Sequence, residues 1–123
     1  MKALLVLGAI NGALAVTLGA FGAHGLKQRV EASLLETWGT ASEYHFYHAL
    51  ALLLAGLLAR QFPDAGGIVT AGWVLFAGMT VFSGSLYLLV LTGQRWLGAI
   101  TPIGGIALIV GWLLLAWHLY RQA

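Results

Sequence analysis

The chain has 123 residues, of which 60% are hydrophobic and only 8% charged, and its formal net charge is +2. A soluble domain carries about 25% charged residues to coat its surface, so these proportions exclude water as the solvent for most of the chain and leave lipid in that place. The small, scattered basic excess excludes a nucleic-acid surface, and the absence of cysteine excludes disulfides, thiolate metal sites and thiol catalysis.

Four apolar segments are expected to cross the membrane, each close to the ~20 residues that span ~30 Å of hydrocarbon. Closed β-barrels read as alternating ten-residue strands, and these Leu/Ala/Val runs do not alternate. The expected fold class is therefore all-α: one domain over residues 1–123, a transmembrane bundle of four membrane-spanning helices with an amphipathic interfacial segment between helices 1 and 2.

The first span runs from about Ala3 to Ala23. Lys2 before an apolar run, with small residues at 20, 22 and 23, resembles a secretory signal, but the run is long enough to cross a bilayer and reads as a retained helix. It carries Gly8, Gly12, Ala15, Gly19 and Gly22 at three- and four-residue steps, a smooth face along which another helix can lie close. The following stretch places Leu26, Val30, Leu34 and Trp38 at four-residue steps with Lys27, Glu31 and Glu36 elsewhere around the wheel. That pattern predicts an amphipathic helix at the membrane surface or running into helix 2, with Gly39 as the bend.

The second span covers about Ala41 to Ala59, and "RQFPDAGG" (residues 60–67) is a turn. The third covers about Ile68 to Leu91, with Gly72, Gly78 and Gly84. "TGQRW" (residues 92–96) is a second tight turn, and the fourth span covers about Leu97 to Leu119, with Pro102 early in it, where a missing backbone donor does least harm. Four spans put both termini on one side. Lys2, Arg60 and Arg121 face Lys27, Arg29 and Arg95 across the bilayer, three against three, so basic residues do not orient the chain. Trp38, Tyr44, Tyr47 and Trp96 fit one aromatic belt; Trp73, Trp117 and Tyr120 fit the other.

The groups that could carry chemistry lie mostly at one end. His45 and His48 are three apart, about 60° around a helix, and His24 ends the first span on the same side; Glu43, Tyr44 and Tyr47 are neighbours. Three imidazoles and a carboxylate on one rim could ligate a divalent metal, although Glu43 points about 200° away from His45. The alternative is that they are interfacial side chains bonded to backbone carbonyls and water. A b-type haem would need His24 paired with His45 or His48, because His118 lies at the other end; no cofactor is expected.

The membrane interior is expected to hold no Asp, Glu, Lys or Arg to mark an ion path, Glu43 falling at the rim. Asn11, Thr80, Ser83, Ser85 and Thr101 are the candidate intramembrane polar groups, with Thr17 beside them. They read either as the lining for a small neutral solute or as interhelical hydrogen bonds. No nucleophile elbow and no phosphate-binding glycine loop occurs, so no catalytic residue is assigned.

"LGAFGAHGL" (18–26), "YHFYHALALL" (44–53), "GSLYLLVLTG" (84–93) and "LGAITPIGG" (97–105) together resemble the YgdD/YwdK-like family (domain of unknown function 423) over nearly the whole chain. The resemblance implies a small four-helix multi-pass protein of the bacterial inner membrane without assigned activity, cofactor or catalytic residues. The expected role is non-enzymatic association with membrane lipids, with copies of itself or with partner membrane proteins, and not with nucleic acid. A metal- or ligand-binding protein using the His24/His45/His48 rim, and a pore or carrier for a small neutral solute, are the alternatives.

Overall fold

The computed structural model describes residues 1–122, and every regular element among them is helical. There are four long helices: α1 (Lys2–Phe21), α2 (Ala32–Gln61), α3 (Gly66–Thr92) and α4 (Thr101–Gln122). A π-helical turn, Gly22–Leu26, prolongs α1, and a 3-10 turn, Arg95–Ala99, leads into α4.

Three stretches are long and apolar enough to cross a membrane: Lys2–Leu26, Gly66–Thr92 and Arg95–Gln122. The 30-residue α2 is longer than any of them but outside this set, since Glu36, Glu43, His45 and His48 make the part before Ala49 polar. By length and composition, the structure thus supports three of the four expected spans.

Each helix packs against the next in chain order, and α1 also touches α3. Short connections make neighbours antiparallel, as the contacts confirm: Gly8 lies against Ala49 and Gly56 against Leu5, while Gly78 lies against Leu108 and Gly111 against Leu75. The buried seams follow a seven-residue repeat. In α2 they include Trp38, Ala41, His45, His48, Leu52, Ala55 and Ala59; in α4, Gly104, Leu108, Gly111 and Leu115. A 3.5-residue period keeps one edge of a helix turned to its partner at a small crossing angle.

Where glycine falls on these seams the backbones touch. A Cβ on Gly78 would stand 2.8 Å from the Leu108 nitrogen, and one on Gly104 would stand 2.8 Å from the Phe82 Cα. Helices in lipid gain dispersion contacts this way, because hydrocarbon supplies no hydrophobic drive between them. The smooth face expected on α1 is narrower than five residues. Gly8, Ala15 and Gly22 are buried at seven-residue steps, but a Cβ on Gly12 would meet nothing within 4 Å and one on Gly19 would meet only Ser42. Residues 12 and 19 fall one position off the seam.

The connection after α1 also differs from expectation. From Ala32 the segment runs into α2, one of the two forms expected, but α2 continues through Gly39 without the expected bend. Leu26 and Trp38 instead pack with Val90, flanked by Val30, Leu34 and Tyr87. Trp38 is 2% exposed and donates its indole N–H to the Leu18 carbonyl at 2.7 Å, so it is a core residue and not part of an aromatic belt. This anchoring directly before Gly39 outweighs the ~1 kcal/mol helix penalty of a glycine. The belt positions Trp96, Tyr47, Trp73, Trp117 and Tyr120 are exposed. Gly93 ends α3 in the left-handed region (φ 73°), its N–H bonded to the Leu89 carbonyl at 2.8 Å; such a stop favours glycine.

Candidate functional site

The strongest concentration of polar groups is a hydrogen-bonded chain across α1, α2 and α3. Asn11 Nδ2 donates to the Leu7 carbonyl at 2.9 Å, which turns Oδ1 toward His45. His45 Nε2 therefore donates to Asn11 Oδ1 at 2.8 Å, and its Nδ1 accepts from the Tyr87 hydroxyl at 2.9 Å. Each step follows from which atoms can donate: an amide oxygen cannot, so the ring proton sits on Nε2. His45 is 6% exposed, and Tyr87 also packs on Trp38 at 4.7 Å between ring centroids.

His48, equally buried, has the opposite tautomer. Its Nδ1 donates to the Tyr44 carbonyl at 2.8 Å, and its Nε2 accepts from Trp112 Nε1 of α4 at 3.1 Å. The two histidines share a side of α2 as expected, but they face different neighbours. His45 serves the contact with α1 and α3; His48 serves α4.

The geometry does not gather the expected rim residues into one cluster. Asn11 lies halfway along α1 and Trp112 halfway along α4, while Tyr87 lies five residues before the end of α3, so the histidines bond to three other helices. His24 is exposed in the π-helical turn, thirteen residues beyond Asn11, or about 20 Å at 1.5 Å per residue. Glu43, Tyr44 and Tyr47 are exposed on α2. Among the described residues no three His, Asp or Glu side chains gather as metal ligands, and both ring nitrogens of His45 and of His48 are already bonded.

The remaining polar candidates divide by position. Ser83 donates from α3 to the Ala41 carbonyl of α2 at 2.8 Å, and the Ser85 and Thr101 hydroxyls meet at 2.6 Å between α3 and α4. Those are interhelical bonds. Thr80 and Thr17 are exposed and donate to carbonyls of their own helices, those of Phe76 and Ala13. Every buried side-chain nitrogen or oxygen among the described residues has a partner. Such pairing is what a medium without water demands.

Beside the Asn11–His45–Tyr87 chain lies an open crevice of about 190 Å³, also lined by Thr80, Ser83 and Gly84. It therefore gathers three of the five intramembrane candidates, while Ser85 and Thr101 are engaged elsewhere. Of the participants, Trp112 was not singled out from the sequence, and Tyr87 entered only as a position of the motif GSLYLLVLTG. Tyr87 sits near the end of α3, and Trp112 sits midway along α4. An aromatic N–H or O–H on an apolar helix needs a partner, and that need was the available signal.

A family model described as Protein of unknown function (DUF423) matches residues 18–105. The UPF0382 membrane protein YwdK of Bacillus subtilis (strain 168) is 50% identical over 115 residues, 94% of each chain. A UPF0382 membrane protein of Staphylococcus aureus (strain bovine RF122 / ET3-1) is 48% identical over 123 residues, covering 100% of this chain and 99% of the relative. Another, from Staphylococcus epidermidis (strain ATCC 12228 / FDA PCI 1200), is 49% identical over 94% of this chain and 93% of its own. No solved structure matches.

Proposed function

This chain belongs to the DUF423 family of proteins of unknown function and is an integral membrane protein, and from that premise we propose that it is a four-span, non-enzymatic helical bundle of the bacterial inner membrane. In this reading the single domain has both termini on one side, and it works by associating with lipids, with copies of itself or with partner membrane proteins. The observation that carries it is the inside-out arrangement of the chain. Asn11, His45, His48, Ser83 and Ser85 turn to neighbouring helices and are bonded there, while Ile10, Leu50, Leu54, Ile106 and Leu113 cover the outside. The same fact supports α2 as the fourth span. The groups that lower its hydropathy at 45 and 48 are removed from lipid by partners on α1, α3 and α4.

The test is crosslinking in native membranes followed by native mass spectrometry from mild detergent. The expected result is a protomer or small oligomer carrying lipid or a membrane partner. Monomer alone, with neither lipid nor partner, would overturn the association reading.

A second reading, a carrier for a small neutral solute, is favoured by one observation. The crevice at Asn11, His45 and Tyr87 brings polar groups to a lipid-depth cavity. It requires that Asn11→Leu abolish solute flux into vesicles while the protein stays folded; unchanged flux rules it out.

A further inference from the structure

At one end of the molecule the connection after α1 meets the turn after α3, and between them lies an open cleft of about 550 Å³ that the histidine network does not reach. Arg29 and Glu31 line it from the first connection, Ser33 and Thr37 from the opening turns of α2, and Arg95 from the turn after α3. Gly93 directs the chain there: its positive φ stops α3, and a Cβ on it would meet nothing within 4 Å, so the cleft stays open beside Arg95.

The depth of this cleft follows from the helix. About 20 residues of hydrocarbon counted from Ile68 end near Leu88, and the cleft begins at Leu89. It therefore lies at the level of the lipid headgroups. The neighbouring Trp96, 62% exposed, is a residue type that favours that level. Below the charged groups the wall is apolar, formed by Val30, Leu34 and Leu89.

We propose that this cleft binds the phosphodiester headgroup of a membrane phospholipid, with the phosphate held between Arg29 and Arg95. Two guanidiniums and the Glu31 carboxylate give the lining a net charge of +1, from +2 and −1. That matches the single negative charge of a phosphodiester better than the higher charge of free phosphate. Guanidinium forks suit phosphate oxygens, the Ser33 hydroxyl adds a neutral donor, and the apolar wall receives the start of an acyl chain. The inference rests on the membrane-spanning reading above and assigns that reading a lipid site.

The experiment uses the full chain in mild detergent with dioleoylphosphatidylglycerol as the probe, read by native mass spectrometry. The wild-type chain should retain one lipid, and R29Q/R95Q should retain it at least about tenfold less. Arg60→Gln, at the far end of the molecule, should behave as wild type. Dioleoylglycerol, which lacks the phosphate, should not be retained, and equimolar inorganic phosphate should not displace the lipid.

Undiminished retention by R29Q/R95Q, equal loss in Arg60→Gln, or equal retention of dioleoylglycerol would each overturn the site. Displacement by inorganic phosphate would overturn the lipid as its source. Should the double variant fail to fold, Arg95→Glu alone, at an exposed position, must show the same loss. Alkaline extraction of the wild-type chain from membranes tests the underlying reading separately.

Discussion

At the scale of single residues, His45 joins Asn11 of α1 to Tyr87 of α3. Removing either partner leaves a buried donor or acceptor unpaired, at about 1–3 kcal/mol. Asn11→Leu is therefore expected to destabilise the fold in SDS-titrated mixed micelles, although it replaces an amide with a residue lipid prefers. A double change, Asn11→Leu with His45→Leu, should cost less than the sum of the single changes, because each removes what the other leaves unpaired. A more stable Asn11→Leu chain would mean that the bond is not made. Trp112→Phe should cost less, about 0.6 kcal/mol, since Trp112 is 42% exposed and its indole is one long reach from α4. Asn11 and the histidines were visible in the sequence as polar intruders. Their pairing was not, because it joins residues 34, 42 and 64 apart.

At the scale of elements, the small residues divide into seam and flank. Gly104 and Gly78 hold α3 and α4 at backbone contact, so Gly104→Val should push the helices apart and cost about 1–3 kcal/mol. A Cβ on Gly12 or Gly39 meets nothing within 4 Å. Gly12→Ala and Gly39→Ala should each stabilise by about 0.5–1 kcal/mol, because alanine loses less backbone freedom in a helix. Thermal unfolding in detergent distinguishes the two classes; a destabilising Gly39→Ala would instead restore a bend at that position. In sequence both classes of glycine look alike. Only the seven-residue repeat of contacts, set by the partner helix, separates Gly8 from Gly12.

At the scale of the whole molecule, the outstanding element is α2, long enough to span but polar in its first half. The chain has no cysteine, so single cysteines can report topology without background. If α2 crosses, cysteines at Gln28 and Gln94 should react with an impermeant maleimide from one side, and those at Asp64 and Gln122 from the other. Labelling of positions 28 and 64 from the same side would reduce the molecule to the three spans that composition alone supports.

Membrane residence, helical class, the turns at residues 60–67 and 92–96 and the antiparallel order were all determined by the sequence itself. They follow from local properties: length of apolar run, Pro and Gly punctuation, and the short reach of a turn. The fate of the polar and aromatic groups was decided only in the tertiary structure. Trp38 went from expected belt to core, His45 and His48 each bridge α2 to other helices, and His24 stayed apart. A hydrogen bond between helices depends on the crossing and axial offset of two distant segments, and no local pattern in the chain encodes that offset.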